Sequence, residues 1–207
     1  IPGHAPVEGH HPRHRTVADL LVDIGRAAPF ISGVTVSGGE ATQQSRLLRA
    51  LFTAIRGDDA LAHLTCFVDS NGACDLAVWD DLVAEELLDG AMIDLKCFDP
   101  AVHERMTGQP NEQVLASIRH LAKLGVLYEV RLLLLAGVND EAGLLRRTGE
   151  WLAAVDPTMR LKVIGYRAHG VRPQDPPLVE PTPEQLAVAA DVLRSAGDFR
   201  ITVVNAG

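Results

Sequence analysis

The chain has 207 residues, 27 of them acidic against 19 lysines and arginines, for a net charge of −8. That length holds one domain, or two small ones, around a sizeable core, and 47% hydrophobic with 22% charged residues excludes an intrinsically disordered chain. The negative balance argues against a general nucleic-acid binder, which needs a basic stripe, and no run approaches the roughly 20 apolar residues of a membrane span.

Residues 1–15, IPGHAPVEGHHPRHR, mix Pro, Gly and His without an apolar period and read as a flexible loop segment. Nothing in it holds His4, His10, His11 and His14 at ligand geometry. Thr16 can cap a helix whose stripe is Val17, Leu20, Leu21 and Ile24, ending near Pro29. A strand is expected over Ile31 to Ser37, then a helix through Leu47, Leu48, Leu51 and Ile55, stopped by Gly57. Leu64 to Asp69 reads as the next strand, Trp79, Leu82 and Val83 as part of a helix, and Ala91 to Lys96 as a third strand. A helix through Val114, Ile118 and Leu121 leads to the apolar strand VLYEVRLLLL. After the loop AGVND come a helix around Leu144 to Val155, a strand LKVIG, a helix over Pro183 to Ser195 with a Thr-Pro-Glu start, and a closing strand RITVV. Alternating units of this kind give an α/β fold with a parallel sheet. Roughly five or six strands fall short of the eight of a full barrel, which leaves a partial barrel or an open doubly wound sheet.

In parallel α/β folds ligands meet the carboxyl ends of the strands. Polar residues recur there: Ser37-Gly38-Gly39-Glu40, then Asp69-Ser70-Asn71-Gly72, then Asp94-Leu95-Lys96. The strand period of two puts Met92, Asp94 and Lys96 on one face, and Glu129 and Arg131 on one face opposite Val130, Leu132 and Leu134. Several charges thus point into one cavity, as a polar zwitterionic ligand requires. Each feature also has a structural reading: a tight turn at Gly38-Gly39, an Asn-Gly turn at Asn71-Gly72, and ion pairs of Asp94 with Lys96 and Glu129 with Arg131. Phosphate-loop, dinucleotide, nucleophile-elbow and His-Glu-x-x-His signatures are missing. Cys66 reads as core, and Cys97 lies near the expected mouth but favours packing. Cys66, Cys74 and Cys97 are too few and too scattered for a disulfide framework and match no common metal-ligand spacing, so a reducing cytoplasm is expected.

SGGE (Ser37 to Glu40), DSNG (Asp69 to Gly72), MIDLK (Met92 to Lys96), HERMTGQPNEQVL (His103 to Leu115) and RLLLLAGVND (Arg131 to Asp140), in this order, resemble the activating enzymes of glycyl radical enzymes. These belong to the radical S-adenosylmethionine superfamily. SGGEAT together with YRAHGV (Tyr166 to Val171) looks like the YjjW branch. The resemblance implies a partial (β/α)6 TIM-like barrel over residues 16–207, lacking its first strand and cluster loop. It implies S-adenosylmethionine and a [4Fe-4S] cluster as cofactors, a glycyl radical enzyme as partner, and a reductant such as flavodoxin or ferredoxin. The reaction implied is reductive cleavage of S-adenosylmethionine to a 5′-deoxyadenosyl radical, which takes hydrogen from a glycine of the partner.

By the same resemblance, Gly38, Gly39 and Glu40 match the motif that holds the ligand's amino group, a carboxylate favouring an ammonium. Asp69, Ser70, Met92 and Asp94 match a monovalent-cation site beside the ligand carboxylate. Asn71, Lys96 and Arg131 stand where they can meet the ligand; at Tyr166-Arg167 pyruvate formate-lyase activators have Tyr-His, and His169, two residues on, is a candidate to substitute. Cys66, Cys74 and Cys97 have the wrong spacing for the family's Cys-x-x-x-Cys-x-x-Cys cluster loop. The expectation is an amino-terminally truncated fragment, inactive alone. Two alternatives stay open: a non-catalytic barrel remnant that binds a small ligand or a protein partner, and an aldolase-like barrel using Lys96 as a Schiff-base amine.

Overall fold

The computed structural model describes residues 14–168 and 177–204. Most of the expected loop segment at residues 1–15, His169 and part of the YRAHGV stretch lie outside the described residues. Thr16 caps α1 (Val17–Ala27) through a reciprocal capping box with Asp19, and β1 (Gly33–Val36) follows. A short 3₁₀ turn (Ala41–Gln44) leads into α2 (Ser45–Arg56), which Gly57 ends. Then come β2 (Thr65–Ser70), α3 (Leu76–Ala84), β3 (Gly90–Leu95), α4 (Pro100–Thr107), α5 (Glu112–Lys123), β4 (Leu127–Leu134), α6 (Ala142–Val155), β5 (Arg160–Gly165), α7 (Pro183–Arg194) and β6 (Arg200–Val204).

All five strand pairings are parallel and the order across the sheet is β1-β2-β3-β4-β5-β6. A doubly wound sheet reverses its strand order at a switch point. This one never reverses, so the winding is that of a barrel left open, and the doubly wound option falls away. Two element boundaries differ from those expected. The first strand is four residues long instead of seven, and α4 was not read from the sequence. That helix has a weakly amphipathic stretch, but its ends carry the usual signals: Asp99 accepts from the Val102 N–H, Pro100 opens the first turn, and Gly108 closes it at φ 73°.

The period of two divides the sheet chemically. Cys66, Val68, Ala91, Ile93, Leu95, Val130, Leu161 and Val163 are buried under the helices. Against them pack Phe52 and Ile55 of α2, Trp79 of α3, Ile118 and Leu121 of α5, and Leu193 of α7. Trp79 is fully buried because its indole N–H finds the Ser117 hydroxyl at 3.2 Å, and Ser117 in turn donates to the Gly72 carbonyl at 2.7 Å. The other face is concave and polar. One irregularity interrupts it. Ala91 pairs with Leu127 but Met92 with Glu129, so Tyr128 is an extra residue in β4. Leu127 opposite Ala91 faces the helices and Glu129 opposite Met92 the concave side, so the insertion leaves the alternation on either side of it in step. With it, Tyr128, Glu129 and Arg131 all face the concave side, and Tyr128 meets Phe67 edge to face at 4.8 Å between ring centroids. Among the described residues no helix is long and apolar enough to cross a membrane.

Candidate cofactor-binding site

The carboxyl ends of β1, β2, β3 and β4 open on one mouth. At the end of β1, Gly38 has φ 101° and Gly39 φ 56°, and a Cβ built on either would meet no protein atom within 4 Å. The turn is therefore bare backbone facing open space, a surface that a ligand can approach closely. Only glycine holds these angles without strain.

Glu40 has less freedom than the sequence suggested. Its Oε1 accepts from the Thr42 N–H at 3.0 Å, the Thr42 hydroxyl at 2.7 Å and the Ser70 hydroxyl at 2.7 Å, and its Oε2 accepts from the Asn71 N–H at 2.8 Å. The carboxylate thus ties the loops after β1 and β2 together, and Oε2 keeps the remaining capacity for an incoming donor. Ser70 is buried and points away from the concave face, where it also accepts from the Gly72 N–H at 2.9 Å. The Asn71 side chain turns back to accept from the Ala73 N–H.

On the concave face the charges form a chain. Arg131 Nη1 donates to Asp69 at 2.7 Å, its Nε to Glu129 at 3.0 Å, and its Nη2 to the Met92 sulfur at 2.8 Å. Lys162 reaches Glu129 at 3.1 Å, Lys96 reaches Asp94 at 2.7 Å, and the Ser37 hydroxyl donates to Asp69 at 3.2 Å. Burial alone pulls the Arg131 pKa down, yet Glu129 and Asp69 together hold it above its ordinary value. The wall pairs the carboxylates of Asp69, Asp94 and Glu129 with the cations of Lys96, Arg131 and Lys162. Such a balanced wall suits a zwitterion, because it presents both signs without a net field. Lys162 and Thr42 belong to this set and were missed from sequence. The alternation in LKVIG, which puts Lys162 opposite Leu161 and Val163, was the available signal.

The four residues expected to hold a monovalent cation do not surround one point. Ser70 faces the helices, Asp94 is taken by Lys96, and Arg131 occupies the space between Asp69 and Met92. As arranged, the side chains of this set do not converge on a cation. Among the described residues no group of three His, Cys, Asp or Glu side chains could hold a metal ion. The cysteines do not fit an iron–sulfur cluster either. Cys66 and Cys97 are buried, and all three sit on different elements. Burial pushes the Cys66 and Cys74 thiols up to about 11, and that of Cys97 upward as well.

Fold and site together define a class: an open parallel α/β barrel with a ligand mouth at its strand carboxyl ends. The family model of the Radical SAM superfamily matches residues 4–146, and the chain belongs to that superfamily, whose members use S-adenosylmethionine and a [4Fe-4S] cluster. It is 30% identical over 161 residues to the pyruvate formate-lyase-activating enzyme of Streptococcus mutans serotype c, covering 75% of this chain and 60% of that protein. It is 28% identical over 167 residues to the pyruvate formate-lyase 1-activating enzyme of Escherichia coli K12, covering 78% of this chain and 65% of that one. The chain thus spans 60–65% of the length of these curated relatives. Among solved structures, a domain of a pyruvate-formate lyase-activating enzyme from Bacteroides vulgatus ATCC 8482 superposes with a TM-score of 0.68 at 22% identity, covering 84% of this chain and 100% of that one. At that identity the likeness bears on the fold.

Proposed function

We propose that this chain is the S-adenosylmethionine-binding part of a glycyl radical enzyme activase. The observation that carries the reading is the open glycine turn beside the balanced charged wall, at the end of the barrel where such folds bind ligands. Relatives named for activating pyruvate formate-lyase support the choice of partner, an enzyme that carries its radical on a glycine. The bare backbone at Gly38 and Gly39, with the remaining capacity of Glu40 Oε2, receives the ligand's ammonium. Lys96 and Arg131 face its carboxylate, each releasing part of its hold on Asp94 or Asp69 as the new anion arrives. The acidic partners keep both cations aimed while the pocket is empty of ligand. When bound and reductively cleaved, S-adenosylmethionine supplies the 5′-deoxyadenosyl radical that removes a hydrogen atom from the partner's glycine. Cys66, Cys74 and Cys97 sit apart on different elements, so this reading does not draw the cluster thiolates from them.

Calorimetric titration with S-adenosylmethionine tests this reading, using the chain alone and the chain joined to a cysteine-bearing cluster segment of a relative, loaded anaerobically. Affinity that is raised by the segment and lost in Gly39→Ala is the expected result. A Cβ at Gly39 meets no protein atom, so the same variant should keep its fold at a cost of roughly 1–2 kcal/mol for the left-handed angle. Absence of binding with the segment in place, or affinity indifferent to Gly39→Ala, would overturn the reading.

A further inference from the structure

The β3–β4 ladder stops at Leu95, which pairs with Leu132. The carbonyls that follow have no strand partner, yet three consecutive ones are taken by side chains. Asn139 Nδ2 donates to the Lys96 carbonyl at 2.8 Å. His103 Nδ1 and Asn111 Nδ2 meet the Cys97 carbonyl at 3.2 and 3.1 Å, and Asn111 Nδ2 also donates to the Phe98 carbonyl at 2.8 Å. A carbonyl only accepts, so the neutral imidazole carries its hydrogen on Nδ1. The three residues are 3%, 2% and 6% exposed, and they come from α4, the turn before α5 and the loop after β4. Asn139 does more: it donates to the Leu133 carbonyl at 2.7 Å and accepts from the Leu135 N–H at 2.8 Å. One amide side chain therefore joins the outgoing ends of β3 and β4.

We propose that Asn139, supported by Asn111 and His103, is a positioning residue that fixes the chain leaving β3 so that Lys96 stands against Asp94 at the mouth of the pocket. The inference rests on the reading of Lys96 as a residue that faces the ligand. A lysine is a point charge on a flexible four-carbon stem, so its own side chain cannot fix where the ammonium stands. The path of the backbone at its base decides whether the ammonium can reach the Asp94 carboxylate that holds it at 2.7 Å. Water would satisfy the same carbonyls without setting their direction. Fixed donors from three separate elements set both. Simple satisfaction of buried acceptors predicts lost stability in an Asn139 variant and nothing more. Positioning predicts in addition that the Lys96 ammonium moves.

The chain has three lysines, Lys96, Lys123 and Lys162, so carbon-13 labelling at the lysine Cε gives three resonances, each assigned by its Lys→Arg variant. In Asn139→Ala the Lys96 resonance should move toward that of exposed Lys123, while Lys162, on Glu129, stays in place. Affinity for S-adenosylmethionine, measured with the cluster segment present, should fall about tenfold. Leu193→Ala, which opens a cavity in the α7 core, should destabilise the chain and leave Lys96 unmoved. Asn111→Ser touches only the carbonyls of residues 97 and 98 and should give a smaller displacement, which keeps the test alive where Asn139→Ala does not fold. An unmoved Lys96 in every folded Asn139 and Asn111 variant would overturn the proposal. A displaced Lys96 with unchanged S-adenosylmethionine affinity would support the clamp and instead remove Lys96 from the proposed pocket.

Discussion

Replacing Arg131 with Met removes the hub of the concave face while keeping the stem of the side chain. The guanidinium holds Asp69 at 2.7 Å and Glu129 at 3.0 Å. Breaking a fully buried pair by deleting one partner costs about 3–5 kcal/mol. Two features lower that figure here. Arg131 and Asp69 are 20% and 21% exposed, and Glu129 keeps Lys162 at 3.1 Å. The expected loss is about 2–3 kcal/mol, or roughly 4–12 °C in melting temperature for a chain of this size. Arg131→Lys restores one point charge but not the fork that spans both carboxylates and the Met92 sulfur, so it should recover about half of the loss. Because the Arg131 pKa is raised, its contribution is fully present below its ordinary value and is lost only as pH rises through the raised one. The penalty should therefore be the same at about pH 6 and pH 9. Thermal and urea unfolding followed by circular dichroism provide the assay. A Met variant within about 0.5 kcal/mol of the parent, the range of an ordinary surface change, or a Lys variant no better than Met, would refute the reasoning.

A methyl group at Gly90 would overlap the Phe67 ring on the neighbouring strand. Gly90→Ala should cost about 1–3 kcal/mol, and a double-mutant cycle with Phe67→Ala should return a coupling that relieves most of it. His103 has its pKa lowered, chiefly by burial, so the neutral ring stabilises the fold above the ordinary value of 6.5 and that stability is lost as pH falls through the lowered one. His103→Asn should flatten the acid limb of the stability curve, read by urea unfolding across mildly acidic buffers. Burial of Cys66 and Cys74 raises their thiols to about 11, so stability held below pH 9 should decline as pH rises from there toward 11. Alkylation of the native chain near neutral pH should be correspondingly slow, and rapid modification of Cys66 at pH 7 would contradict its placement in the core.

Local chemistry made much of this legible from sequence. The alternation through Ala91 to Lys96 separated the buried face from the polar one, and the capping residues Thr16 and Thr182 marked helix starts that the structure keeps. The ion pairs of Asp94 with Lys96 and of Glu129 with Arg131 follow from the same two-residue spacing. What stayed hidden depends on contacts distant in the chain. The engagement of Glu40 by Ser70 and Asn71 spans about thirty residues, and that of Asp69 by Arg131 spans 62. The pull of Asn139 on Lys96 reaches across 43. No local period encodes these pairings, because they exist only once neighbouring strands are in register. The expected cation set at Asp69, Ser70, Met92 and Asp94 left out a local rule: Asp69 and Ser70 are consecutive in a strand, so their side chains leave by opposite faces.

The extra residue in β4 also governs how the sequence can change length. A strand counts in twos, so deleting Val130 would carry Arg131 from the polar wall into the apolar layer beneath the helices. Tyr128 is the one place in that strand where a deletion keeps the count: Leu127 would still lie opposite Ala91, and Glu129 opposite Met92. Shortening there forfeits the edge contact with Phe67 and the stacking of Arg160 on the Tyr128 ring, but it leaves the charged wall in phase. Relatives of this chain are thus free to differ by one residue at that point without having to rebuild the pocket above it.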